Sequence, residues 1–341
     1  MKSLGLVLSC LTLCASAAAG IAPTPGTQDI QVVFNDADLV CNCSVESTRF
    51  TRAEWAESGS GRVQRRYGVA EIHINEVYKS TVPAPSRFSL EYIDNELTKG
   101  ERAVMFLRSS GSSVYAPADP FVGITAFTLV PSGSQGTGIQ MLEFALLRIV
   151  KSPNHDDQMN ALKLLQGFPT LSQSTLSALD RLLSSPSPDI ALATFAVILK
   201  VADVEHVEKL RIYLSGYRAE MEPTSILSIG SELGHIRDEA ALPSLGELSG
   251  SRLLSIRIGS MQALRAIKSS KAGPAIVRRL DDSDGYVKYL AVISLAEIFN
   301  KYGDYAPNMY LFDRNPGFYV SLWKSWWTTE GQAYQPGDVT R

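Results

Sequence analysis

One feature narrows what this chain can become more than any other. A closing apolar position recurs at Leu165, Val201, Ile236, Ile267 and Ile298, at spacings of 36, 35, 31 and 31 residues. Gln262–Ile267 aligns with Ile293–Ile298 at an offset of 31, and the same shift carries Ile256-Arg257 onto Val287-Lys288. Ser231–Ile236 fits a further 31 residues back. An apolar stretch precedes such segments, as in Leu242-Pro243-Ser244-Leu245 and Ala275–Leu280. Self-similarity at this period marks helix pairs that are too short to stand alone and bury their faces on one another. The pattern predicts an α-solenoid of five pairs over residues 139–304.

The first helical face is Met141, Leu142, Ala145, Leu146, Ile149 and Val150. Ahead of Pro131 the period is two. Val69–Val77 and Arg87–Ile93 alternate, Ala103–Leu107 is the continuous apolar run of a buried strand, and Ile124–Val130 reads as a last strand. Pro83-Ala84-Pro85, Lys99-Gly100 and Ser110-Gly111-Ser112 punctuate them. The expected fold class is α+β multidomain. A small antiparallel β barrel (OB-like) or sandwich spans 29–131, and a Gly/Ser linker spans 132–138. The solenoid follows, then an aromatic capping segment at 305–330 and a tail at 331–341.

Composition bounds the function classes. The chain has 341 residues, 45% of them hydrophobic, which argues for a globular protein. Its 32 basic and 35 acidic residues leave no global attraction for nucleic acid. Lys2, the apolar run Leu4–Ala15 and the small residues Ala15–Gly20 predict a signal peptide over 1–19 and a flexible lead-in over 20–28. The run is shorter than the roughly 20 residues of a membrane span, and no later segment is apolar for longer. Leu13 is too large for the position ahead of a lipoprotein cysteine. An exported protein, periplasmic or extracellular and without a transmembrane span, is the expectation.

Cleavage would leave Cys41 and Cys43. On one face of a strand they stand about 6–7 Å apart, poor geometry for a bridge. Two buried thiols are expected in preference to a metal or redox site. With the lone sequon Asn42-Cys43-Ser44, unpaired thiols suit a bacterial periplasm better than a eukaryotic secretory route.

Leu280–Ala291, and Leu254–Arg257 leading to Ala263-Leu264, resemble the short HEAT repeats also found in bilin-lyase-like proteins, of the armadillo-like helical kind. The resemblance covers 239–300 and extends more loosely over 141–236. It implies an Asp that caps the second helix, a basic residue that pairs with it across the turn, and a binding or scaffold role. Phe34–Val40, Glu76–Lys79 and Lys99-Gly100-Glu101 ahead of Phe106-Leu107 resemble the netrin/metalloprotease-inhibitor type of OB barrel. Those inhibitors chelate zinc with a Cys-x-Cys at a free N-terminus. Here Cys41-Asn42-Cys43 lies inside a strand, so this resemblance implies the fold alone.

Catalytic and metal-ligating patterns are sparse. His73, His155, His206 and His235 do not pair at ligand spacing. Pro153–Asp157 reads as a cation site or as a solvated turn whose Asp caps a helix from Gln158; the second is favoured. Asp281, Asp282 and Asp284 lack the closing Glu of a calcium loop and read as caps. No G-x-S-x-G elbow or phosphate-binding loop occurs. No catalytic, cofactor or metal residue is expected, and the chain reads as non-enzymatic.

Two contact features remain. Arg62, Arg65 and Arg66, with Arg49 and Arg52 upstream and Trp55 beside them, are expected in a Gly/Ser loop between strands. They read as a solvated hairpin or as contact with an anionic envelope surface, lipid or polysaccharide. Tyr319, Trp323, Trp326 and Trp327 fall on one side of a helix opened by Pro316. They read as a cap on the last repeat, or as a glycan platform or partner anchor. The expected function is an exported scaffold that binds a protein partner through the solenoid, without a cofactor or nucleic acid. The alternatives are a β domain that inhibits or docks onto an extracellular hydrolase, and an enzyme built on His73 with a carboxylate.

Overall fold

The computed structural model describes residues 29–58, 61–81, 83–93, 97–110, 114–118, 124–128, 138–201, 204–217 and 224–333. The signal peptide and lead-in expected over 1–28, the linker up to residue 137 and the tail beyond 333 lie outside the described residues. The chain divides into two compact units at 197/198. That is not where the Gly/Ser composition suggested.

The unit ending at Val197 opens with a helix where strand was expected. Asp29 accepts the Gln31 N–H at 2.8 Å and caps α1 (Ile30–Asp36). Ile30, Val33 and Phe34 are its buried face, at i, i+3 and i+4. Six strands follow: β1 (Leu39–Ser58), β2 (Gly61–Ser80), β3 (Arg87–Ile93), β4 (Arg102–Ser109), β5 (Val114–Pro117) and β6 (Ile124–Phe127). β1 pairs antiparallel with β2 and with β4, β2 with β3, and β4 with β5 and β6. Among the described residues only β3 with β5 is parallel. Followed in the order β1-β2-β3-β5-β4, the pairings return to β1.

Alternation sorts the side chains. Leu39, Cys41, Cys43, Ile72, Leu90, Met105 and Leu107 meet in one buried core. Val40, Val104 and Phe106 project from the opposite face and are equally buried, because α1 packs against β4. This double cover is why Ala103–Leu107 reads as an unbroken apolar run. Lys79 fastens α1. Its Nζ donates to the carbonyls of Phe34, Asn35 and Ala37 at 2.8, 2.6 and 2.7 Å, where the helix dipole favours a cation.

The next helices are tied to the sheet, which explains the place of the division. Asn154, not an aspartate, caps α3 (His155–Gln166) after α2 (Ile139–Val150). Asp157 is buried and accepts both the N–H and the hydroxyl of Thr128, just past β6. Asn160 donates to the Ala126 carbonyl at 3.1 Å. Glu143 of α2 accepts from Ser172 N and Oγ at 2.8 and 2.7 Å, ahead of α4 (Gln173–Leu182). The division itself falls inside α5 (Pro188–Leu199).

The unit from Ile198 contains α6 (Val204–Gly216), α7 (Thr224–Leu233), α8 (Leu242–Leu248), α9 (Leu254–Ile267), α10 (Gly273–Val277), α11 (Gly285–Ile298), α12 (Met309–Arg314) and α13 (Pro316–Thr329). α9 and α11 end at Ile267 and Ile298, the expected 31 residues apart. The same interval governs the turns before α8 and α10. Asp238 and Ser269 cap equivalent 3-10 turns, and Pro243 and Pro274 occupy equivalent first turns.

α9 packs against both α7 and α11. The α7 contact runs backbone to backbone: a Cβ on Gly259 would lie 1.9 Å from the Gly230 carbonyl oxygen. Two aspartates divide the work that the repeat resemblance gave to one. Asp284 caps α11 by accepting from Tyr286 and Val287 N–H at 2.9 and 3.1 Å. Asp282 is buried and pairs at 3.1 Å with Arg257 of the preceding helix pair.

Candidate functional site

The expected loop carrying the basic stripe is a two-stranded ribbon. β1 and β2 pair from Leu39↔Ser80 out to Ser58↔Gly61, whereas β4 pairs with β1 only at residues 39–44 and β3 with β2 only at 67–73. Residues 52–58 and 61–66 therefore pair only with one another among the described residues, over about 20 Å of strand. A bulge at Thr51, between the pairs Phe50↔Gly68 and Arg52↔Tyr67, sets which side chains share a face.

The faces separate residues that the sequence grouped. Trp55, Arg62 and Arg66 share one face with Phe50, and the Arg66 guanidinium lies 5.9 Å from the Phe50 ring. Trp55 and Phe50 are 67% and 58% exposed. Arg65 is on the other face with Arg52, Glu54 and Tyr67. There the Arg52 guanidinium covers the Tyr67 ring at 4.4 Å and pairs with Glu54 at 2.8 Å. Where the ribbon meets β3 and β5, this second face opens into a cleft of about 470 Å³. Arg52, Arg65, Tyr67, Glu91, Ile93 and Pro117 line it.

A second concavity lies between α8 and α10, with a volume of about 700 Å³. The 31-residue interval puts Pro243 and Pro274 on it together, with Gly246 and Ala275 between. Its charges are mostly engaged. Glu239 accepts from Ser269 at 2.8 Å and pairs with Lys271 at 3.1 Å, and both partners hold its carboxyl below the usual range, the serine foremost. Glu247 pairs with Arg211 at 2.7 Å. Arg211 also grips Glu208, whose pKa is lowered to about 2 by hydrogen bonds from Arg211 and Ser244. Arg278 lines the groove, is exposed, and has no partner among the described residues.

The tryptophans of the C-terminal helix do not form a platform. Trp323 is fully buried and donates from Nε1 to the Tyr305 carbonyl at 2.9 Å. Trp326 is buried 5.0 Å from Phe299, and Trp327 is half-buried against Phe299 and Gly273. This packing sets α13 against α10 and α11. The exposed aromatics nearby are Tyr302, Tyr310 and Phe318, which the sequence reading passed over because they fall off the tryptophan stripe.

Cys41 and Cys43 are buried free thiols. Burial, and then a hydrogen bond with Cys41, push the Cys43 pKa well up, the opposite of a reactive thiolate. Asn42 of the sequon is buried too. His73, in β2, lines none of the concavities described above. Among the described residues no group of three or more His, Cys, Asp or Glu is placed to hold a metal ion, and no helix is long and apolar enough to cross a membrane. No protein-family model matches the chain, and no curated protein matches it.

Proposed function

We propose that this is an exported, non-enzymatic binding protein whose helical unit is a short HEAT-like solenoid that holds a protein partner. The leader-like pattern of residues 1–20 supports export. The circuit of strand pairings supports an OB-like barrel, and the equivalent caps and prolines 31 residues apart support solenoid stacking.

One observation carries the binding reading: the 700 Å³ groove between α8 and α10, floored by Gly246 and Ala275 and bearing the unengaged Arg278. Pro243 and Pro274 on its lining lack the N–H and fix φ in the first turns of α8 and α10.

A photo-crosslinking amino acid in place of Arg278, in the full chain and in its native envelope, tests the proposal. A single light-dependent protein adduct is expected, absent when the crosslinker replaces exposed Ser325 on α13. No adduct, or the same adducts from both positions, would overturn it.

A further inference from the structure

Both acids of the α8–α10 groove already have a cation. Glu239 pairs with Lys271 and Glu247 with Arg211, at 3.1 and 2.7 Å. Arg278 is the lining charge left over: it is exposed and has no partner among the described residues. Around it Leu242, Pro243, Ala272, Pro274 and Ala275 present apolar surface. One free guanidinium in such a groove fits a segment with a single carboxylate between apolar residues, whereas a polyanion would meet Glu239 and Glu247.

The chain itself holds such a segment and brings it to the groove. The last described turn, Gly331–Ala333, packs against Trp327: a Cβ on Gly331 would lie 2.6 Å from Cε3 of that indole. A Cβ on Gly273 would lie 2.6 Å from Cη2 of the same ring. Gly273 opens α10, and the next residue, Pro274, lines the groove. One indole ring thus separates the end of the described chain from the helix that walls the groove. The sequence continues Tyr334-Gln335-Pro336-Gly337-Asp338-Val339-Thr340-Arg341, with Asp338 as its one acidic side chain and Pro336 and Val339 on either side. Pro336 restrains Gln335 to extended geometry, which suits a groove. Ala333 to Asp338 spans about 17 Å of extended chain, against about 8 Å along α10 from Gly273 to Arg278. We infer that residues 334–341 occupy the α8–α10 groove with Asp338 on Arg278, and that an outside partner must displace them.

Tethering makes a weak contact sufficient. A short tether holds the segment at an effective concentration on the order of millimolar, so a contact of about millimolar strength is about half occupied. The inference goes beyond the partner reading and shares only the groove with it.

The test places a photo-crosslinking amino acid at Thr340 of the purified full chain, prepared as an equal mixture of isotope-labelled and unlabelled protein. Peptide mass spectrometry after irradiation should join that position to α8 or α10 within one copy. Arg278→Glu and Asp338→Lys should each cut the yield about three- to fivefold, the worth of one exposed ion pair. Both reversals together should restore it to within about twofold. Arg278 has no partner for the reversal to disturb, and unchanged thermal unfolding of the variants confirms it.

No crosslink, crosslinks to other elements, or adducts that mix the two isotopes would overturn the inference. So would yields indifferent to either reversal, or a double variant as poor as the single ones. The purified chain contains no partner, so failure here leaves the envelope adduct standing. The crosslinker that replaces Arg278 removes the anchor of the segment, so an absent envelope adduct refutes the partner and not the occupant.

Discussion

Replacing Gly259 with Ala should unfasten the helical unit at its tightest contact. The added methyl would sit 1.9 Å from the Gly230 carbonyl oxygen, against about 3.3–3.6 Å for a relaxed carbon–oxygen contact. Both atoms belong to helical backbone, so no rotamer change relieves the overlap, and α7 and α9 must part by about 1.5 Å. Ile226, Ile229, Leu233, Ile256 and Leu264, all completely buried on these two helices, would then lose close packing. A gap of even 0.5–1 Å forfeits roughly a quarter to a half of each dispersion contact. Overpacking of this kind costs about 1–3 kcal/mol, and a backbone-to-backbone clash belongs at the top of that range, about 3 kcal/mol. Urea unfolding followed by far-ultraviolet circular dichroism would read it as a lowered midpoint at unchanged slope. Gly285→Ala is the control. It is the first residue of α11 and its Cβ would meet nothing within 4 Å. Its negative φ suits Ala, so that variant should gain about 0.4–1 kcal/mol. If Gly259→Ala stayed within 1 kcal/mol of the parent, the close approach of α7 and α9 would be wrong.

Three further outcomes follow from particular contacts. The folded pKa of Glu208, about 2, lies below an ordinary value near 4.3, so its stabilising contribution is full above about pH 4.3 and fades as the pH falls towards 2. The urea midpoint of the parent should therefore fall more steeply than that of Glu208→Gln between pH 5 and 2.5, and parallel curves would refute the Arg211–Glu208 contact. Lys79→Met removes the donor to three carbonyls at the end of α1 and should cost about 1–2 kcal/mol. Faster hydrogen exchange at Val33–Ala37 would register it, whereas unchanged protection would show that the lysine does not hold the helix. In a chain begun at Gly20, Cys41 and Cys43 should resist a thiol reagent at pH 8 until urea is added. Prompt labelling of the folded protein would contradict their burial.

Much of the helical unit could be read from the sequence because its signals are local and repeated. The closing isoleucines at 267 and 298 end helices of the same length, and Pro243 and Pro274 open their partners. The β pattern was equally legible over Phe88–Leu90, where burial follows the pleat. What escaped depended on tertiary cover. Ile30–Asp36 is rich in β-branched residues, and only the Asp29 cap and the burial of Ile30, Val33 and Phe34 turn it into helix. The Gly/Ser stretch at 132–138 signals a loose connection, but Asp157 and Asn160 reach back to β6 and move the division to 197/198. At the candidate sites, composition found the arginines and missed their faces: alternation along β2 separates Arg65 from Arg62 and Arg66, and the bulge at Thr51 puts Arg52 on the Arg65 side. The α8–α10 groove left no separate mark, since it arises from two ordinary proline positions set side by side.

That groove belongs to a junction between helix pairs and to neither pair alone. Its walls, Pro243 and Pro274, come from the same position in successive 31-residue units, and each unit opens with its own capped turn. A copy of residues 242–272 inserted after Ala272 would bring its own proline, its own capping serine and its own glycine. One more junction would follow, and with it one more groove in line with the first. Concave surface in such a chain grows by tandem duplication, one groove per added unit, while the fold of each unit stays as it was.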